Sequence, residues 1–338
     1  MKTIVLDAPE TLRLIDTQAP PAPGPGEALV RVHRVGVCGT DLHSYRGRNP
    51  FLVYPRIMGH ELGVEVVALG IGVSTLNIGD RCSVEPYLNC GRCIACRRGK
   101  SNCCARLEVL GVHVDGGMRE FIVLPAHTLH VANDLDYDQL ALVETLGIGA
   151  HAVQRAGIEH DAHTLVIGAG PIGLSALTFA RLATKNLMAL DVNAERLAFA
   201  SEVFGLAHTF QTGPSTLDEV LAATHGELPT TVIDATGNAE SMTRAFDYVA
   251  PGGTLVYVGW VQSDLAFSDP HLHRREISLL ASRNALPDDF TRIIQHIRAG
   301  EVDTRPWITH RATAEETVAA FPTWLRPETG TIKAMLSF

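Results

Sequence analysis

Up to about residue 140 the chain runs in short alternating or β-branched apolar stretches, EALVRVHRVGV, VEVVALG and DRCSVEPY, broken by Pro and Gly turns. Such stretches predict strands with one face on a core, so the first part reads as a β-rich domain. PAPGPGE, ahead of the first stretch, is a turn segment too short to separate domains. Beyond that point the pattern turns helical and then becomes LVIGAGPIGLSALTFARLA, NLMALDV, TTVIDATG and GTLVYVGW. Continuous apolar strands bounded by glycine and alternating with amphipathic segments predict a parallel sheet covered on both faces, a doubly wound α/β domain. The tail, from PDDFTRIIQHIRAG to TIKAMLSF, predicts helices and one short strand that rejoin the first domain. The expected division is 1–143 with 286–338 against 144–285.

Composition narrows the class. A chain of 338 residues exceeds one core of ordinary size, which agrees with two domains. With 28 Lys plus Arg against 37 Asp plus Glu, the net charge of -9 speaks against a general nucleic-acid role, while local arginines leave room for a small anionic substrate. No apolar run is long enough to predict a membrane span. The opening MKTIVLDAPETL lacks an apolar stretch of signal-peptide length, so a reducing cytoplasm is expected and disulfides are not. Most of the fifteen histidines are scattered singly, where a solvated or hydrogen-bonded imidazole is the default.

Four cysteines change the picture. Cys90, Cys93, Cys96 and Cys104 stand two, two and seven residues apart in a Gly- and Arg-rich loop within about 86–106, the spacing of an all-thiolate structural zinc site. Cys103 is a possible substitute for Cys104, and spacing favours Cys104. Gly168-Ala169-Gly170-Pro171-Ile172-Gly173 follows the strand-like TLVI and opens a helix-like segment, the context in which G-x-G-x-x-G binds a dinucleotide pyrophosphate. Asp191, eighteen residues past the last glycine, ends the next strand, where its carboxylate can accept from both ribose hydroxyls and repel a 2'-phosphate. NAD is therefore expected over NADP. Asp191 also suits a helix N-cap before Asn193, and Arg196 is a candidate to lie over the adenine.

Cys38 in VCGTDLH and His60-Glu61 in MGHELG each put a metal-ligand type beside a glycine. Alone, each is more often a small buried hydrophobe or a satisfied polar group. Together with the four-cysteine loop and the glycine motif they make the chain resemble the zinc-dependent medium-chain dehydrogenases of the alcohol dehydrogenase family, in the polyol and sorbitol dehydrogenase branch. The resemblance covers nearly the whole chain, to the Lys333 strand. It implies a GroES-like β-rich catalytic domain plus a Rossmann NAD-binding domain, two zinc ions per subunit, and a homodimer or homotetramer pairing near GGTLVYVGW. It also implies Cys38 and His60 as catalytic-zinc ligands, Glu61 coordinating or exchanging with water, and a proton relay through Thr40 and His43. At the third position Glu144, in LVETLGIGAHA, stands where primary alcohol dehydrogenases carry cysteine, and Thr145 replaces the branch's proline. Val64 occupies the place of the glycine in G-H-E-x-x-G, with Gly63 one residue earlier, a departure expected to affect packing.

The segment from Tyr45 through Arg46, Arg48 and Phe51 to Tyr54-Pro55, the segment around His113, and Ser282-Arg283-Asn284 resemble a subgroup acting on sugar acids such as L-galactonate or L-gulonate. They place hydrogen-bonding residues where a simple alcohol enzyme carries apolar ones. Tyr45, His113, Arg283 and Asn284 are thus candidate substrate residues, with Arg283 able to take a carboxylate in two parallel bonds or to donate to hydroxyls. The expected reaction is NAD-dependent oxidation of a secondary hydroxyl of a polyol, sugar or sugar acid. The rival readings are an L-threonine 3-dehydrogenase-like enzyme and a non-catalytic NAD-sensing zinc protein.

Overall fold

EALVRVHRVGV becomes one long strand whose buried positions change parity: Ala28, Val30 and Val32 are buried, then Val35 and Val37. A register shift against the neighbouring strand between Val32 and Arg34 accounts for the change, because one extra residue flips every later side chain to the other face. The computed structural model describes all 338 residues, Met1–Phe338. In chain order the elements are β1 (Lys2–Ala8), β2 (Thr11–Asp16), β3 (Glu27–Val37), α1 (Gly39–Tyr45), β4 (Glu61–Leu69), β5 (Arg81–Val84), β6 (Tyr87–Leu88), α2 (Ile94–Arg97), β7 (Glu108–Val109), β8 (Phe121–Pro125), β9 (Leu129–Val131) and α3 (Tyr137–Ala156). An alternation follows: β10 (Thr164–Ile167), α4 (Pro171–Ala183), β11 (Leu187–Asp191), α5 (Ala194–Phe204), β12 (His208–Gln211), α6 (Thr216–Ala223), β13 (Thr231–Asp234), α7 (Ala239–Arg244), β14 (Thr254–Tyr257), α8 (Asp269–Arg274) and β15 (Ser278–Ala281). The chain closes with α9 (Pro287–Arg298), β16 (Ile308–Thr313), α10 (Ala314–Ala320) and β17 (Lys333–Ser337).

Met1–Thr145 and Leu286–Phe338 form one compact unit, and Leu146–Ala285 forms the other. The division falls inside α3, after Thr145, so Glu144 belongs with the first unit and not at the head of the second. In the first unit a seven-stranded sheet has the order β16-β17-β3-β4-β5-β9, with β8 also paired to β3. Its core includes Ile4, Val30, Val64, Leu124, Phe321 and Leu336. The tail supplies two strands to this sheet where the sequence reading expected one. β17 enters it antiparallel to β3, with Ala334 opposite Val37, which carries Lys333 to the place where β3 ends. Gly63 is needed for packing: a Cβ there would fall on the Tyr137 carbonyl at the start of α3.

The second unit is a six-stranded sheet of order β12-β11-β10-β13-β14-β15, with every adjacent pair parallel. β10, β11 and β13 are buried at every position, as a sheet covered on both faces requires. Strand order reverses between β10 and β13, which makes the carboxyl end of β10 the switch point where such sheets bind ligands. β14, the GTLVYVGW strand, is flanked by β13 and β15, so the strands with an unpaired side are β12 and β15.

Candidate active site, metal centres and dinucleotide loop

β3 stops at Val37, and Cys38 is the N-cap of α1. Asp41, at the third helical position and 1% exposed, accepts the Cys38 N–H at 2.9 Å, which fixes the point where the thiol leaves the strand. His60 is held between Gly59 and β4. Gly59 has φ 92°, and a Cβ there would come within 2.8 Å of Val35 Cγ1 and 2.9 Å of Met118 Cγ, so only glycine permits this turn. Glu61 opens β4 opposite Gly36, and a Cβ on Gly36 would occupy the place of the Glu61 carboxylate. These backbone constraints gather the donor atoms of Cys38, His60 and Glu61 within 4.8 Å of one another, with His60 and Glu61 buried. Glu144 lies outside that group.

Buried charge surrounds the cluster. Lys333, 1% exposed, donates to Glu61 Oε1 at 2.6 Å and Oε2 at 2.9 Å, and to the Val37 carbonyl and Thr145 Oγ1 at 3.3 Å each. Thr145, in the place of the branch's proline, thus becomes an acceptor for the buried ammonium. Burial works against the charged form of Lys333, and Glu61 outweighs it, raising the pKa. Burial likewise opposes His60 as a cation, but Asp41, Cys38 and Glu144 together lift it well above the ordinary value. Glu144 is raised mainly by burial, against the pull of His60. Its Oε1 accepts from the Tyr87 hydroxyl at 2.5 Å.

The donor set fits zinc. Thiolate, imidazole and carboxylate are its ordinary ligands, and His60 Nδ1 is buried with no hydrogen-bond partner, 3.8 Å from Asp41 Oδ1. A buried imidazole nitrogen left without a partner beside a thiol and a carboxylate is a group a cation would satisfy.

The second metal group is the loop expected from spacing. Cys90, Cys93, Cys96 and Cys104 bring their sulfurs within 4.8 Å of one another, and the exposed Cys103 is not among them. Backbone N–H groups of Cys90 and Arg106 donate to Cys104 Sγ at 3.3 Å each. Backbone donors from Arg92 and Cys93 hold the Cys90 thiol down to about 5, and those from Cys96 and Ala105 hold Cys93 to about 7. Burial, with Cys93 beside it, pushes Cys96 up to about 11. Two sulfurs are thus prepared as thiolates before any ion arrives. All seven cysteines are free.

In the second unit, Gly168 (φ 96°) turns the chain out of β10, and Gly170 caps α4 with Pro171 in the first turn. A Cβ on Gly173 would run into the Gly168 carbonyl, so glycine lets α4 approach its own entry loop. Asp191 Oδ2 accepts the Ala169 N–H at 2.6 Å and Oδ1 accepts the Asn193 N–H at 2.8 Å. The cap of α5 is Asn193, which takes the N–H groups of Glu195 and Arg196, so the capping role considered for Asp191 belongs to its neighbour. A Cβ on Gly170 would lie 3.8 Å from Arg196 Nη1, placing that guanidinium beside the loop.

Thr40 and His43 are one helical turn apart on α1, directly after Cys38, and His43 is exposed. Desolvation and the cations of Arg48 and Arg46 lower the His43 pKa. Tyr45, expected as a substrate residue, is 7% exposed and packs on Phe321 with ring centroids 5.2 Å apart, inside the apolar core. The polar neighbours that suggested a substrate-facing segment follow a residue on the buried face of α1. His113 is half-buried, with Nδ1 accepting the Val109 N–H at 3.1 Å. Arg283 is exposed, and Asn284 holds φ 50° with a buried amide nitrogen. Sequence reasoning left Asp41 and Tyr87 unassigned and gave Lys333 no role. Their signals were an acid three residues after the Cys38 cap, a tyrosine beside the four-cysteine loop and a lysine inside an apolar terminal run.

No helix is long and apolar enough to cross a membrane. Residues 24–134 match the family model of the alcohol dehydrogenase GroES-like domain, and residues 171–299 match that of the zinc-binding dehydrogenases. L-galactonate-5-dehydrogenase of Escherichia coli K12 is 38% identical over 300 residues, 88% of either chain. The alcohol dehydrogenase RspB of Escherichia coli CFT073, solved with NADH, superposes with a TM-score of 0.93 at 31% identity, covering 100% of this chain and 99% of the other. A zinc-binding dehydrogenase of Sinorhizobium meliloti 1021, solved with NADP, gives 0.91 at 27% identity, covering 100% and 99%. On these matches the chain belongs to the zinc-dependent alcohol and polyol dehydrogenase family, an oxidoreductase of GroES-like and Rossmann domains that uses zinc and a nicotinamide dinucleotide on a small-molecule substrate.

Proposed function

We propose that this protein oxidises a secondary hydroxyl of a sugar acid or polyol to the ketone with NAD, an aldonate such as L-galactonate or L-gulonate being the preferred substrate. The observation that carries the reading is the Cys38–His60–Glu61 cluster, two of its three members buried, on the chain segment that also holds Thr40 and His43, in a protein 38% identical to an L-galactonate dehydrogenase. Cys38, His60 and Glu61 would hold a zinc ion, whose Lewis acidity would lower the pKa of an alcohol oxygen. Asp41 holds the Cys38 backbone and sets a carboxylate 3.8 Å from His60 Nδ1, and Lys333 fixes the Glu61 carboxylate and offsets its charge. Thr40 Oγ1 is the first acceptor of the alcohol proton and His43 its later acceptor, with desolvation and the cations of Arg48 and Arg46 favouring the neutral imidazole. NAD, when bound, supplies the hydride acceptor. Gly168, Gly170, Pro171, Ile172 and Gly173 hold its pyrophosphate at the start of α4, Asp191 takes the ribose hydroxyls, and Arg196 lies beside that loop. Four thiolates in the lobe hold the second zinc and brace the first unit.

Arg283 is the candidate for the substrate carboxylate, its guanidinium able to give two parallel bonds, with Asn284 beside it in the chain. NADH formation by zinc-loaded protein with aldonates, neutral polyols, free sugars and L-threonine tests the reading; activity on L-threonine alone refutes it. Arg283→Met should raise KM for an aldonate by roughly tenfold or more while sparing a neutral polyol, since a charged hydrogen bond contributes about 1.5–3 kcal/mol. Asp191→Ala should reduce the preference for NAD over NADP, and unchanged discrimination removes the assignment. The edge strand β15, with Leu279 at 38% exposure, supports pairing with a second copy into a homodimer. The free thiols support a cytoplasmic site of action.

A further inference from the structure

Tyr87 and Glu144 are 3% and 4% exposed, and the 2.5 Å bond between them is the short contact of a hydroxyl with a carboxylate. The phenol is held from several sides. β6 pairs with β7, Tyr87 opposite Val109, and the ring meets Phe290 edge-on with centroids 6.4 Å apart. Phe290 in turn stacks on His130 at 4.8 Å. Three residues beyond Tyr87 the strand reaches Cys90, so the four-cysteine lobe anchors it at the other end. Glu144 lies outside the group formed by Cys38, His60 and Glu61.

We propose that Tyr87 is a positioning residue that keeps Glu144 out of the metal's ligand set, and so leaves one coordination position for substrate. The proposal rests on the reading of Cys38, His60 and Glu61 as zinc ligands. Catalytic zinc sites carry three protein ligands and an open fourth position, whereas four protein ligands make a closed, structural site. What separates the two buried carboxylates is where their partners hold them: Lys333 holds Glu61 inside the Cys38–His60 group, and the Tyr87 hydroxyl holds Glu144 outside it. The Tyr87 hydroxyl binds Oε1 at 2.5 Å, and its pairing across β7 and its edge contact with Phe290 fix where that carboxylate is held.

The test uses full-length protein loaded with zinc or cobalt(II): wild type, Tyr87→Phe, and Tyr87→Phe with Glu144→Gln. Loss of each metal equivalent to a chelator and the visible absorption of the cobalt form are followed beside kcat and KM. In Tyr87→Phe, the equivalent at Cys38 and His60 should leave roughly tenfold more slowly, the scale on which an outer partner of a ligand acts. The cobalt spectrum should change, and kcat should fall while the lobe equivalent leaves at its wild-type rate. The double variant, with a poorer ligand at 144, should recover wild-type release. Release and spectrum unchanged in Tyr87→Phe, or faster release, overturn the proposal. Uptake of a single equivalent by the wild type overturns the ligand reading itself, and the proposal with it.

Discussion

Replacing Lys333 by methionine removes the cation from a pair in which both side chains are 1% exposed. The variant keeps most of the side-chain volume but leaves Glu61 with neither of its bonds to the ammonium, at 2.6 and 2.9 Å, and leaves the Val37 carbonyl and Thr145 hydroxyl short of a donor. Breaking a buried pair from one side costs about 3–5 kcal/mol, mostly because the remaining charge is stranded. In urea that corresponds to a midpoint lower by about 1–2 M. The readout isolates the relevant unit: Trp307 and Trp324, at 1% and 5% exposure, lie in the first unit, whereas Trp260 is 57% exposed. Tryptophan fluorescence of metal-free protein at pH 7 therefore follows the unit that holds the pair. The pH is suitable because the folded pKa of Lys333 is raised, so its contribution is complete below the unfolded value of 10.5 and is lost only as pH climbs through the folded pKa. Adding Glu61→Gln to Lys333→Met should restore more than half of the loss, since no charge is then stranded. Zinc loading should also shrink the deficit, by giving Glu61 another cation. A deficit below about 1 kcal/mol in the metal-free protein, or a double variant no better than the single, refutes the argument.

Metal-free protein should contain one thiol that is alkylated rapidly at pH 6, because a group with a pKa near 5 is about nine-tenths thiolate there, against roughly one part in a few hundred for an ordinary thiol. The fast phase should vanish in Cys90→Ser, persist in Cys103→Ser and be suppressed by zinc; iodoacetamide kinetics showing no reaction below pH 8 contradict it. Gly36→Ala should cost about 1–3 kcal/mol, because the new methyl takes the place of the Glu61 carboxylate. Metal analysis should then find the lobe equivalent retained and the other depleted, and two full equivalents in the variant would show that Glu61 need not sit over β3.

What could be read from the sequence divides by the range of the interactions involved. The four-cysteine loop and the glycine motif are local: the spacing of Cys90, Cys93 and Cys96 and the turn at Gly168 sit within a few residues, so their patterns survive whatever the rest of the chain does. The bonds that set the character of the metal cluster are not local. Lys333 reaches Glu61 across 272 positions, and Tyr87 reaches Glu144 across 57. Nothing within either segment specifies the partner. For Lys333 the strand order β16-β17-β3-β4 specifies it, by laying the last strand against the third. Tyr45 shows the converse error. Beside Arg46, Arg48 and Asn49 it reads as a polar loop residue, yet α1 turns it inward onto Phe321, a residue nearly three hundred positions later in the chain. Where a charged or aromatic residue stands out from its own segment, as Lys333 does within TIKAMLSF, local mismatch is itself the signal. An ammonium at the head of a strand buried at its first four positions has to be answered by a carboxylate, and the strand carrying Glu61, one place away across β3, offers one at the point where β3 gives way to Gly36.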